Sequence, residues 1–206
     1  MEDVLAVYQT AYDPLKPVVC LDETNRQLIG EVAPPIPMTT EHPLIYDFEY
    51  VRNGVVDIFM MFEPLSARRY TAVTETRTKI DFAYCLRDLS DKYYPYAEKI
   101  IIVMDNLNTH SLASLYEAFT PDEARRLAER FEVHYTPKHG SWLNMAEIEI
   151  GVMSKQCLNR RIPTKEDMVL QVKAWTCTRN SANLSVNWRF TTEDARIKLK
   201  RLYPKL

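Results

Sequence analysis

The sequence predicts an α/β fold, an antiparallel meander followed by alternating strands and helices, and three observations carry that prediction. Two apolar runs, Tyr46 to Arg52 and Val55 to Glu63, flank Asn53-Gly54. That pair tolerates positive φ and is the strongest short-range hairpin signal. The run Lys99 to Met104 reads as a central strand whose apolar residues are covered on both faces. From Thr78 onward, apolar residues recur at helical spacing in several separate segments.

At 206 residues and 24.1 kDa, with 46% hydrophobic and 26% charged residues, the chain is long enough for one domain with its own core. Lys+Arg 26 against Asp+Glu 28 leaves a formal charge of -2, so any basic face must be local. The apolar runs are strand-sized, well below the ~20 residues of a membrane helix. The opening MEDVLAVYQTAYD has no charged-then-apolar leader. A cytoplasmic protein with no membrane partner is expected. Cys20, Cys85, Cys157 and Cys177 form no CxxC pair, and His42, His110, His134 and His139 complete no zinc spacing, so the thiols read as reduced and mostly buried.

In chain order, residues 1 to 16 form a short amphipathic helix, with Val4, Leu5, Val7 and Tyr8 on one side, that resembles a linker or flap. Residues 1–17 are therefore set apart from a main domain over 18–206. Val18 to Leu21 is a buried strand that ends where Asp22-Glu23 breaks the apolar pattern. Four prolines between residues 30 and 43 make a loop. The hairpin follows, and Arg69 to Thr74 adds a third meander strand. Thr78 to Asp91 is a helix with Ile80, Ala83, Tyr84 and Leu86 inward, stopped at Tyr94-Pro95. After the central strand come helices at Ser111 to Phe119 and from Pro121, behind the potential cap Thr120, to Arg130. Val133 to Tyr135 is a strand, and Thr136 to Ser141 a loop. Asn144 caps a helix from Met145 to about Asn159, and Thr164 caps another with Val169, Val172 and Trp175 on one face. A basic helix, Thr192 to Leu202, closes the chain.

Three acids share a kind of position: Asp22 and Asp105 at strand ends, and Glu147 in the first turn of a helix. If the first and fourth strands are neighbours, Asp22 and Asp105 meet. Hard divalent cations take such oxygen ligands, and Mg²⁺ keeps waters besides them. Two ions about 4 Å apart activate an attacking oxygen and stabilise a leaving one, which is the chemistry of in-line phosphoryl transfer on nucleic acid. Acids also sit at strand ends simply to reach water, so the neighbouring motifs must decide.

Those motifs are Cys20-Leu21-Asp22-Glu23, Met104-Asp105-Asn106-Leu107-Asn108-Thr109-His110-Ser111, and the long block Tyr135-Thr136-Pro137-Lys138-His139-Gly140-Ser141-Trp142-Leu143-Asn144-Met145-Ala146-Glu147. Together they resemble the DDE transposases of bacterial insertion sequences in the mariner-like superfamily, over about Val18 to Pro204. The resemblance implies a ribonuclease H-like fold: a mixed five-stranded sheet, antiparallel meander first, with helices on both faces. It implies that Asp22, Asp105 and Glu147 are the catalytic acids and the ligands of two Mg²⁺ or Mn²⁺ ions. The activity implied is cleavage of DNA at element ends and strand transfer into target DNA, by a chain found on the bacterial nucleoid when bound to DNA and pairing as a homodimer there.

Glu149 is the rival for the third acid, but it lies about 200° around the helix from Glu147. Glu23 alternates with Asp22 and faces the other way while the strand persists. Glu23, Asn106, His110 and Glu149 are candidates to support the metal ligands, and His110 can alternatively contact DNA or cap the next helix. Lys138, His139 and Trp142 suit phosphate contact and base stacking. Trp142 can equally pack into the core. Arg189, Arg196, Lys198, Lys200, Arg201 and Lys205 stand against Glu193 and Asp194, and Lys198, Lys200 and Arg201 are the expected backbone-tracking cations. Full-length relatives carry helix-turn-helix modules ahead of this domain, so a separate N-terminal DNA-binding half is the expected partner. The alternatives are a non-catalytic remnant or regulator that binds DNA or an intact transposase, and a nuclease that stops at hydrolysis.

Overall fold

Side chains alternate in direction along the continuously buried parts of the strands and divide between two cores. Val18, Cys20 and Val103 point to one side of the sheet. Val19, Leu21, Ile100, Ile102 and Met104 point to the other, as the two-residue period of an extended chain requires. The computed structural model describes residues 1–138 and 140–203. Its strands are β1 (Val18–Glu31), β2 (Tyr50–Glu63), β3 (Arg68–Thr74), β4 (Ile100–Met104) and β5 (Phe131–Tyr135). They form a mixed five-stranded sheet in the order β3-β2-β1-β4-β5. The first three strands are an antiparallel meander, and β4 and β5 run parallel to β1.

Helices cover both faces. Helices α1 (Glu2–Tyr8), α5 (Met145–Gln156), α6 (Lys165–Ser181) and α7 (Thr192–Lys198) pack on the side of Cys20 and Val103. Helices α2 (Lys79–Asp88), α3 (Ser114–Ala118) and α4 (Pro121–Ala128) cover the side of Leu21 and Met104. Among the described residues no helix is long and apolar enough to cross a membrane. Cys20, Cys85 and Cys157 are buried free thiols, and Cys177 is exposed.

Several expectations give way. The acids do not end the first strand. Only Val18, Val19 and Cys20 pair with β4, while β1 runs on to Glu31 against β2, so Asp22-Glu23 marks where β1 leaves its parallel neighbour. Asn53-Gly54 is not a hairpin turn either. Strand β2 continues through it, and the pairing steps from Gln27↔Val55 to Ile29↔Arg52, which sets two residues against Leu28. This is a bulge; Gly54 sits at φ 111°, and the conformational freedom that suits a tight turn serves the bulge here. The true β1–β2 connection is the proline-rich segment 32–49, which Arg161 ties down through Glu31 and the carbonyls of Asp47 and Glu49.

Helix faces shift by a residue or two. In α2 the inward set is Phe82, Ala83, Cys85 and Leu86, while Ile80 and Tyr84 are exposed; the Thr78 capping box fixes the start and Phe82, Leu86 and Leu89 supply the stripe. In α6 Met168, Val172, Trp175 and Thr176 are buried and Val169 is exposed. Helix α3 begins at Ser114, later than Ser111. Thr120 occupies the cap position of α4 without a side-chain cap, and Pro121 at the first helical position has no amide to leave unpaired there. Helix α7 ends at Lys198, and Lys200–Leu202 is a separate tight turn.

The N-terminal helix is part of the core, not a free linker. Val4 and Leu5 are fully buried. Tyr8 donates its hydroxyl to the Leu143 carbonyl at 2.6 Å, which ties α1 to the segment that launches α5.

Candidate functional site

Register alone brings two of the acids together. Cys20 pairs with Val103, and Asp22 and Asp105 each lie two residues beyond that pair on adjacent parallel strands. By alternation both belong to the sheet face of Cys20 and Val103, the face that α5 covers. Asp22 is half-buried and Asp105 exposes 28% of its side chain. The Asp22 carboxylate is held at both oxygens, Oδ1 accepting from the Glu23 amide at 2.8 Å and Oδ2 from Asn144 Nδ2 at 3.2 Å.

Asn144 also brings in the third acid. Its Nδ2 donates to the Leu21 carbonyl at 2.8 Å, and its Oδ1 accepts from the Ala146 amide at 3.1 Å. One buried side chain thus caps α5 and clamps that helix end to β1 beside Asp22. The expected cap is confirmed, whereas the clamp carries no sequence signal of its own. Glu147 follows in the first turn, exposed.

Glu149 is turned away from this corner. It is 1% exposed and accepts from Arg69 Nε at 2.7 Å and Arg179 Nη2 at 2.8 Å. It therefore cannot share ligands with Glu147 or support them, and it is removed from the candidates. Burial works against its ionisation, but the two guanidinium groups outweigh burial and hold its pKa below the usual value.

Of the other supporting candidates, Asn106 is exposed and makes no hydrogen bond to the three acids. Glu23 and His110 are linked. His110 is 1% exposed, its Nδ1 bonds Asp105 Oδ1, and its Nε2 lies 2.9 Å from Glu23 Oε2, in ion-pair contact though out of line for a hydrogen bond. A ring this buried does not reach DNA, and its side chain caps no helix. Burial opposes its charge, yet Asp105 and Glu23 together raise its pKa to about 9. Arg77, which carried no sequence signal, pairs with the other oxygen of Glu23 at 3.2 Å.

Electrostatically the corner is acidic. Burial pushes the Asp22 carboxyl up to about 7, and the charges of Glu23, Asp105 and Glu147 add to that. Among the described residues no three His, Cys, Asp or Glu side chains stand close enough together to hold a metal ion. The donors are oxygens only, and their mutual repulsion is what a hard cation would relieve. Mg²⁺ binds through one or two carboxylates while keeping waters, so an open acidic corner fits such an ion better than a closed cage would.

The expected DNA contacts fare unevenly. Lys138 is exposed on the segment that leaves β5 beside Met104, where the Thr136 amide donates to the Met104 carbonyl at 2.9 Å. His139 lies outside the described residues, as does Lys205. Trp142 is 43% exposed, stacked at 6.4 Å on Trp188 and edge-on to Phe190 at 5.6 Å, so it belongs to a surface aromatic cluster and not to the core. Lys200 and Arg201 are exposed, whereas Lys198 pairs with Asp194 at 3.0 Å and Arg196 with Glu2 at 2.8 Å.

Residues 17–169 match the family model of the DDE superfamily endonucleases. The fold is similar to that of the Mos1 mariner transposase in three solved complexes. The paired-end complex with Mn gives a TM-score of 0.56 at 15% identity, covering 87% of this chain and 54% of that one. The strand transfer complex gives 0.57 at 13%, with 84% and 51% covered. The pre-cleavage transpososome gives 0.56 at 14%, with 87% and 55% covered. This chain thus spans about half the length of the structures it matches. No curated protein matches it.

Proposed function

Because this chain belongs to the DDE superfamily of endonucleases, we propose that it is the catalytic domain of a transposase, cutting DNA at element ends and transferring the freed 3′ end to target DNA. The observation that carries the reading is the adjacency of Asp22 and Asp105 beyond the β1–β4 ladder, with the Glu147 turn clamped beside them by Asn144. Asp22, Asp105 and Glu147 are the proposed ligands of two Mg²⁺ or Mn²⁺ ions. When bound, such ions supply activation of the attacking oxygen and charge stabilisation at the leaving oxygen. The acids contribute negative charge at fixed places, and Asn144 keeps Asp22 aimed by occupying one of its oxygens. The exposed Lys138 is the proposed phosphate contact, and the part-exposed Trp142 the proposed platform for a base. The solved complexes of the Mos1 mariner transposase with a transposon end and with Mn support the same partner and ion for this chain.

The test is Mn²⁺- or Mg²⁺-dependent nicking of a labelled duplex carrying an element end. Wild-type chain nicks it and Asp105→Asn does not. Equal nicking by both proteins excludes the site.

A further inference from the structure

Asp105 stands one residue past the end of β4, in a segment of turns, with like charge nearby on Asp22. A carboxylate there keeps one rotamer only if something grips it. The grip comes from the opposite face of the sheet. His110 reaches Asp105 through Nδ1, and the ring itself has no freedom: it is 1% exposed and stacked on Phe82 at 5.0 Å. Its backbone is held too, the carbonyl accepting from the Tyr135 hydroxyl at 3.1 Å and the amide donating to Leu107 at 2.9 Å. Behind the ring, Glu23 is 2% exposed and meets Nε2, and Arg77 meets Glu23.

Glu23 and Asp22 are successive residues of β1 whose side chains pass to opposite faces. The two acidic positions of the first motif thus divide the work, one facing the proposed metal corner and one bracing the second acid from behind. We propose that His110 is a positioning residue for Asp105, braced by Glu23 and Arg77, and that this chain sets the affinity of the site for a divalent cation. The inference rests on the metal-site reading above. Hydrogen-bonded partners behind a ligating carboxylate or imidazole are worth about 10- to 100-fold in metal affinity.

Mn²⁺ affinity of the DNA-free chain, read from the electron paramagnetic resonance signal of the free ion, tests this without any activity assay. His110→Ala removes both contacts. His110→Asn places an amide N–H where Nδ1 stands, within reach of Asp105, and His110→Gln places one where Nε2 stands, facing Glu23. Ala and Gln weaken Mn²⁺ binding by about 10-fold or more, while Asn stays within about 3-fold of wild type. Ala binding as tightly as wild type, or Gln matching Asn, overturns the inference and leaves His110 as packing. If the Ala chain does not fold, which its thermal melt shows, the Asn–Gln pair decides alone. Wild-type chain that takes up no Mn²⁺ overturns the metal reading itself, and this inference with it.

Discussion

Two glutamates on one helix, two residues apart, live in opposite chemistry. Glu147 opens α5 exposed at the acidic corner. Glu149 is sealed between Arg69 and Arg179, with the Arg69 guanidinium also donating to the carbonyls of Ala67 and Leu184 and lying 4.5 Å over the Phe62 ring. The second arrangement pairs the carboxylate it buries with two cations; the first gathers Asp22, Asp105 and Glu147 against the single imidazole of His110 and leaves most of that negative charge uncompensated. A protein gains nothing in stability from crowding carboxylates, so the uncompensated corner reads as the part kept for chemistry and the sealed triad as the part that holds α5 at the correct angle to present it.

The largest effect expected from breaking this contrast is catalytic. Asp22→Asn, Asp105→Asn and Glu147→Gln each lower nicking by about a thousand-fold or more, since each removes a metal charge worth several kcal/mol at the transition state, while all three proteins still fold and none melts below wild type by more than a few degrees. Glu149→Gln does the reverse, retaining nicking wherever the protein is folded. Nicking that survives Glu147→Gln and fails in folded Glu149→Gln would exchange the two assignments.

Next in size is stability. Removing Glu149 strands two guanidinium groups, one of them fully buried, and urea melts of Glu149→Ala should show a loss of about 3 kcal/mol. The pH dependence separates the two carboxylates by sign. Glu149 has its pKa lowered in the fold, so its contribution is full above its ordinary value of 4.5 and fades as pH falls through the lower folded value. Asp22 has its pKa raised from 3.8 to about 7, so the metal-free fold binds the extra proton and loses stability as pH rises between those values. Thermal melts in a chelator should show the Glu149→Gln deficit shrinking toward low pH. They should show Asp22→Asn gaining on wild type as pH rises to 7 and above. Parallel pH curves for the three proteins would show that the two sites do not differ in this way.

How much of this was legible beforehand follows from sequence separation. That Asp22, Asp105 and Glu147 come to one corner is legible because each sits in a short local motif, and the strand or helix beside it has its own periodicity. The triad was not: Arg69 and Arg179 lie on β3 and α6, far from Glu149 in the chain, and nothing periodic connects them. His110 was visible as a motif residue, but its burial and its grip on Asp105 depend on Glu23 crossing to the other face of β1, which needs the strand to continue past the acids. At Asn53-Gly54 the expected positive φ holds for Gly54 and not for Asn53, and the expected turn is a bulge, because a bulge and a tight turn make a similar local demand and only the partner strand distinguishes them.

The smallest expected effect concerns a third kind of charge, the basic end of the chain, and it tests whether compensation separates working charges from structural ones there too. Lys198 is already partnered by Asp194 and lies 5.6 Å over the Phe190 ring, whereas Lys200 and Arg201 are exposed. Each cation that neutralises a phosphate contributes about 0.9 to the slope of log affinity against log salt on duplex DNA. Replacing Lys200 and Arg201 by Gln should therefore flatten the slope by up to about 2, and Lys198→Gln should change it by much less. Fluorescence anisotropy with a short duplex, across a range of salt, measures both. A larger change from Lys198→Gln than from the double substitution would mean that DNA takes Lys198 away from Asp194, and that an ion pair on this surface does not mark a charge as spent.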